Sequence, residues 1–96
     1  MKYSFHPNAE TELEEAENYY DAIDIALGNR FRAEFEAGVE RILQFPTAWH
    51  PLSVNIRRRR LVSFPYGIVY RVNRDEIRIL AVMHLHRKPG SWKSRS

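Results

Sequence analysis

The sequence predicts an α+β fold of two layers, a helical hairpin packed on a twisted antiparallel β-sheet, in the order β-α-α-β-β-β. Three observations predict it. Apolar residues of the first half recur at helical spacing, as Ala9, Leu13, Ala16, Tyr20 and Ile23 and then as Phe31, Phe35, Val39 (or Gly38), Ile42 and Phe45. Each stripe is one face of a helix that needs a partner. The second half instead gathers β-branched and aromatic residues in three runs parted by polar or Pro/Gly-containing segments, the pattern of strands and turns. Finally, 96 residues suffice for one hydrophobic core but not for a two-domain cleft, so residues 1–96 are expected to form a single domain in which the sheet covers the hairpin.

The elements follow in order. Lys2–Phe5 alternates and reads as a short strand. Pro7 suits a first helical position, with His6 or Asn8 near the cap. Glu10, Glu12, Glu14, Glu15 and Glu17 crowd the first turns, where the helix dipole favours negative charge. Gly28-Asn29 punctuates the helical pattern, and Pro46 closes the second helix. Residues 47–53 hold Pro51 and read as a loop. Residues 56–62 form a candidate strand with four consecutive arginines. Residues 64–67, Phe-Pro-Tyr-Gly, are a turn or bulged entry into a strand over 67–72. Asn73-Arg74-Asp75 is a polar turn. Glu76–His84 is apolar on both faces over Ile79-Leu80-Ala81-Val82-Met83, the mark of a central strand. Lys88-Pro89-Gly90-Ser91 breaks the pattern, and Trp92 precedes a basic tail expected to fray.

The formal charge of +3 hides an asymmetry. Residues 1–46 carry ten acidic and four basic residues, whereas residues 47–96 carry two acidic and eleven basic ones. A basic half attracts nucleic acid or an acidic protein segment; it is equally compatible with a solvated sheet edge above a solvated acidic helix surface. Cysteine is absent, which excludes disulfides and thiolate metal sites. No apolar run approaches the ~20 residues of a membrane span, and the opening MKYSFHPNAE lacks the apolar stretch of a signal peptide. A cytoplasmic location without membrane contact is expected.

The run Arg57-Arg58-Arg59-Arg60 is the most prominent candidate site. On a strand, Arg57 and Arg59 point one way and Arg58 and Arg60 the other. Arginine forks bind phosphate and carboxylate bidentately, although charge also protects an edge strand from aggregation. His84-Leu85-His86-Arg87 ends the last strand. A His-x-His pair could begin a metal site, but no third ligand stands at a telling spacing, and no metal is expected. Acid–base work beside a phosphate held by Arg87 is the stronger chemical reading of the histidines. Trp92 and Tyr66 could stack on bases, or, like Tyr3, Phe5 and Tyr70, belong to the core. The pairs Glu14/Glu15 and Asp21/Asp24 fall on a polar helix side and read as solvated surface. There is no phosphate-binding glycine loop and no nucleophile elbow, so no cofactor is expected.

Taken together, these residues resemble the RelE/ParE superfamily of type II toxin–antitoxin toxins. The resemblance rests on Phe5-His6-Pro7, the acidic, Tyr-rich first helix (Glu14-Glu15-Ala16-Glu17-Asn18-Tyr19-Tyr20), Gly28, Arg32 and Phe35. It continues through the basic strand and Phe64-Pro65-Tyr66-Gly67-Ile68-Val69-Tyr70-Arg71 to the ending from Ile79 through His84, Arg87, Pro89 and Trp92. It covers nearly the whole chain. It implies a small bacterial toxin, of the kind tied to plasmid stabilisation and growth inhibition, held inactive by a cognate antitoxin. Operator DNA would be contacted only indirectly, through that antitoxin.

The superfamily implies two activities. RelE-like members cleave mRNA on the ribosome, and ParE-like members inhibit DNA gyrase. Of the residues typical of the nucleases, this sequence keeps basic residues on the first strand after the helices (Arg58, Arg60) and an arginine beyond the last strand (Arg87). It has Gly67 where they carry an arginine, and Trp92 and Lys93 where they often carry a tyrosine. The ParE-like branch, with gyrase as target, is therefore favoured. The surface facing target or antitoxin is expected to comprise Arg57, Arg58, Arg59, Arg60, Arg71, His86, Arg87 and Trp92. The alternatives are a ribosome-dependent endoribonuclease, with Arg58, Arg60 and Arg87 stabilising phosphate and His84 or His86 moving the proton, and a non-toxic relative that only binds partners.

Overall fold

The chain is described by a computed structural model over residues 1–87, 90 and 92–95. Its elements are β1 (Lys2–Phe5), α1 (Pro7–Ile23), α2 (Ile25–Gln44), β2 (His50–Pro51), β3 (Ile56–Arg60), β4 (Tyr66–Val72) and β5 (Glu76–His84). One five-stranded sheet runs β1-β5-β4-β3-β2, with the helical hairpin on one face.

The hairpin forms where the stripes require it, but its corner lies earlier than Gly28-Asn29 suggests. Asp24 alone joins the helices. It takes an extended conformation and its side chain accepts a hydrogen bond from the Ala26 N–H at 2.9 Å, a cap worth about 1 kcal/mol. Gly28 lies inside α2 because α1 passes so close. A Cβ there would stand 1.7 Å from Asp21 Oδ1. Of the expected stripes, Ala9, Ala16 and Tyr20 and then Phe31, Phe35, Gly38, Val39 and Ile42 are buried, while Ile23 and Phe45 at the helix ends are exposed.

The sheet is mostly antiparallel, but β1 pairs parallel with β5, Lys2 opposite Glu76 and Phe5 opposite Ile79. β1 occupies β5's free side before the chain enters the hairpin, so this pairing joins the two ends of the chain. The region read as a loop over 47–53 contains the two-residue strand β2, paired with Arg57 and Arg58. Pro51 is tolerated there because β2 is the edge.

β5 is central, as its two-sided apolar run predicts. Ile77, Ile79 and Val82 face the helices with Ile68 and Tyr70, whereas Leu80, Ala81 and Met83 pack on the opposite face with Ile56, Val69 and Trp92. Strict alternation fails at one point. Tyr70 pairs with Ile79 but Val69 with Ala81, so Leu80 is an extra residue in β5. This bulge moves every later side chain of the strand to the other face.

The tail does not fray as far as it is described. Gly90 has a φ of 100°, a left-handed conformation that costs glycine nothing, and Trp92 beyond it is only 7% exposed, packed on the face away from the helices. Arg95 pairs with Glu12 at 2.8 and 3.0 Å and donates to the Leu80 carbonyl at 3.0 Å, while Glu12 accepts from the Val82 N–H at 3.0 Å. β1 ends opposite Ile79, and these two side chains satisfy the stretch of β5 edge that β1 leaves open. Lys88, Pro89 and Ser91 of the expected break lie outside the described residues.

Candidate functional site

Strand register sorts the candidate residues onto two faces. Arg57 lies opposite Tyr70 and Arg59 opposite Ile68, on the helix side; Arg58 lies opposite Val69 and Arg60 opposite Gly67, on the far side. Arg71, opposite Ile56, shares the far side. Arg57 donates to the Trp49 carbonyl at 2.9 Å. The Arg59 guanidinium lies over the Trp49 ring, 4.7 Å from its centroid. Among the described residues none of Arg57, Arg58, Arg59 and Arg60 is in an ion pair. β3 therefore carries four arginines without an ion-pair partner among the described residues, their charge projecting to both faces of the sheet.

His84 is elsewhere. The bulge at Leu80 turns it to the helix side, where its ring stands 5.2 Å from that of Tyr66. It borders a cleft of about 620 Å³ between α1 and the ends of β4 and β5, together with Glu12, Glu15, Tyr19, Tyr66 and Arg87. His86 is exposed, 5.2 Å from the His84 ring, and its N–H donates to His84 Nδ1 at 3.2 Å. Burial raises the Tyr66 phenol above its ordinary pKa, and the Arg87 guanidinium pulls it back. Tyr66 is thus a neutral donor at neutral pH, not a base.

The structure therefore puts His84 and Arg87 at one cleft on the helix side, with His86 next to His84, and leaves Arg58, Arg60 and Arg71 spread along the far face of the sheet. The set expected of a nuclease is split: Arg87 shares the cleft with His84, while Arg58 and Arg60 lie on the other face. Gly67 lies between Arg58 and Leu85; a Cβ there would stand 3.1 Å from the Arg58 stem and 3.3 Å from Leu85, so that position offers no side chain to the far face. Trp92, expected to stack or wedge against a partner, is instead core of the far face. Among the described residues no three of His, Asp and Glu gather as a metal site needs, and no helix is long and apolar enough to cross a membrane.

Several residues at these surfaces escaped the sequence reading. Trp49 and His50 border the basic edge, but nothing marks them in a segment read as loop. Glu34 on α2 accepts from the Val62 and Ser63 N–H groups and holds the β3–β4 connection onto the hairpin. Glu12 and Arg95 are two charges among many, and only their tertiary meeting distinguishes them.

A helical hairpin on a mixed sheet, with a basic strand whose arginines are in no ion pair among the described residues, is the architecture of a RelE/ParE-type toxin, and comparison with known proteins narrows it. The sequence model described as the ParE toxin of the type II toxin–antitoxin system parDE matches residues 3–89. Toxin ParE2 of Mycobacterium tuberculosis, in strains CDC 1551 and H37Rv, is 34% identical over 87 residues, covering 90% of this chain and 83% of the relative. A solved structure titled as the chromosomal ParDE TA system from P. aeruginosa superposes with a TM-score of 0.72 at 22% identity, over 90% of this chain and 97% of that one. The chain belongs to the ParE toxin family of type II toxin–antitoxin systems.

Proposed function

We propose that this toxin arrests growth by poisoning DNA gyrase and is neutralised by a cognate antitoxin. The observation that carries the choice of gyrase over mRNA is the separation of the two candidate sets. Arg58 and Arg60 occupy one face of the sheet and His84 the other, where only Arg87 of the three phosphate candidates accompanies it. General acid–base catalysis needs the proton carrier within hydrogen-bond reach, directly or through one water, of the group it serves, and a sheet lies between them here. Toxicity then comes from binding a macromolecular target. Arg57, Arg58, Arg59, Arg60, Arg71, His86 and Arg87 are the residues offered to target or antitoxin. A cognate antitoxin is what membership of a ParDE family supports, and an acidic antitoxin segment would match the arginines of β3.

Pulse labelling after induction of the toxin alone in a bacterial host tests this reading. Thymidine incorporation should fall within minutes while amino-acid incorporation continues, and co-expression of the antitoxin should prevent the fall. Early loss of protein synthesis with mRNAs cut inside codons would instead establish the endoribonuclease. Normal growth would leave a relative that only binds partners.

A further inference from the structure

The open stretches of the sheet are not protected alike. β2, at one edge, is two residues long and ends in Pro51, and the length of β5 beyond β1 is covered by Glu12 and Arg95. β1, the other edge, runs in unbroken register with β5 from Lys2 to Phe5, with no proline, no bulge and one charge, Lys2. It therefore lacks most of the devices that keep an edge from pairing. The Lys2 N–H donates to the Asp75 carbonyl at 3.3 Å and the His6 N–H to the Ile79 carbonyl at 2.8 Å. Backbone groups of alternate residues turn to opposite sides of a strand, so Tyr3 and Phe5 present their N–H and C=O groups outward, where no backbone partner meets them among the described residues. A groove of about 510 Å³ lies between Tyr3 and α2, bordered by Phe35, Glu36, Val39 and Glu40. Its ionised side chains are the two glutamates, and neither is in an ion pair among the described residues.

We infer that the free edge of β1 accepts an extended segment of a partner protein that carries lysine or arginine at alternate positions. Strand addition supplies partners to the outward groups of Tyr3 and Phe5. Side chains of the added strand alternate between the two faces, and one set of them enters the groove. A lysine or arginine lays its aliphatic stem on apolar surface and keeps its charged head beyond it, which fits the rings of Tyr3 and Phe35 beside Glu36 and Glu40. The two glutamates stand one turn apart, about 6 Å along the helix, close to the ~6.8 Å between alternate residues of a strand. Two successive cations can then meet one glutamate each. A second copy paired through its own β1 would bring two pairs of glutamates together, and an acidic segment would add to the same charge, so both fit worse. Two strands, β5 and β4, separate β1 from the arginines of β3, so this surface can be filled while an acidic segment occupies those arginines. Strand addition here is independent of whether gyrase is the target.

Amide hydrogen exchange of the full chain, read by NMR, tests it. The probe is the peptide acetyl-Thr-Lys-Thr-Lys-Thr-Lys-amide, compared at matched ionic strength with the same peptide carrying glutamate in place of lysine. The lysine peptide should slow exchange at Tyr3 and Phe5 saturably and leave Ser4, whose N–H faces β5, unchanged; the glutamate peptide should do neither. The double variant Glu36→Gln/Glu40→Gln, two surface changes, should weaken the lysine peptide roughly fivefold, as loss of two exposed ion pairs implies, and remove most of the salt dependence of its binding. Glu10→Gln, at the exposed first turn of α1, should change little. The inference is overturned if neither peptide protects Tyr3 and Phe5, if the glutamate peptide protects them as well as the lysine one, or if Glu10→Gln weakens binding as much as the double variant. Shifts at Glu36 and Glu40 without protection of Tyr3 and Phe5 would reduce it to charge attraction at the helix and overturn strand addition. Protection that rises with protein concentration in the absence of peptide would assign the edge to a second copy and overturn the basic partner.

Discussion

Tyr70 shows how closely single residues are specified. Its ring is fully buried, and its hydroxyl donates to the Pro46 carbonyl at 2.7 Å, tying β4 to the end of the second helix. Tyr70→Phe leaves that carbonyl without its donor and should cost about 1–3 kcal/mol in urea unfolding. Burial pushes the Tyr70 phenol up to about 12, against the opposing pull of Arg57 and Arg59. Below pH ~10 the phenol is neutral in folded and unfolded chains alike, and its contribution is complete. Between pH 10 and 12 the unfolded chain ionises first, so stability falls with rising pH, by about 2–3 kcal/mol from this group. The gap between wild type and Tyr70→Phe should narrow across that window; a constant gap would refute the assignment. Gly28 is held as tightly. Gly28→Ala gains helix propensity of about 1 kcal/mol, but its methyl displaces Asp21, which pairs with Arg32. Net destabilisation of roughly 1–3 kcal/mol is expected, and a cycle with Asp21→Ala should show clear non-additivity.

Among the elements, the exposed run of β5 edge depends on side chains for its hydrogen bonds. Glu12→Ala removes the acceptor of the Val82 N–H and the partner of Arg95 together, which should cost about 1–3 kcal/mol. Hydrogen exchange should report lost protection at Val82 before the rest of the strand; unchanged protection would mean that the clasp is ornamental. The helices and most strands were legible in the sequence because each carries its own period. Four features were not, and three of them are decided by residues outside the local segment. The parallel pairing of β1 joins Lys2 to Glu76. β2 is too short and too proline-marked for a local signal. Asp24 looks like one more acidic residue of a polar face until its cap is seen. The Leu80 bulge is the most consequential, since simple alternation from Ile77 and Ile79 places His84 on the arginine face, beside Arg58 and Arg60. One inserted residue moves it to the helix-side cleft. The arginine face was therefore readable from alternation, and the composition of the site was not.

For the whole molecule, charge and topology act together. The acidic residues belong mainly to the hairpin and the basic ones to the sheet and tail, so the protein meets a partner with a preferred orientation. Its association with an acidic antitoxin segment should slow markedly with added salt, as steering between opposite charges is screened beyond about 8 Å at physiological ionic strength. Stopped-flow measurement from low to high salt would check this, and a salt-independent rate would place recognition on apolar contacts instead. The sheet also serves as a partition, keeping Arg58 and Arg60 apart from the histidine cleft, so that this chain is read as a toxin that works by binding. The most direct test is to incubate the purified toxin with gyrase, ATP and plasmid DNA, and separately with translating ribosomes. Accumulation of gyrase-linked, cleaved plasmid with intact ribosomal mRNA is the predicted result. Unaffected gyrase with mRNA cut on the ribosome would contradict it.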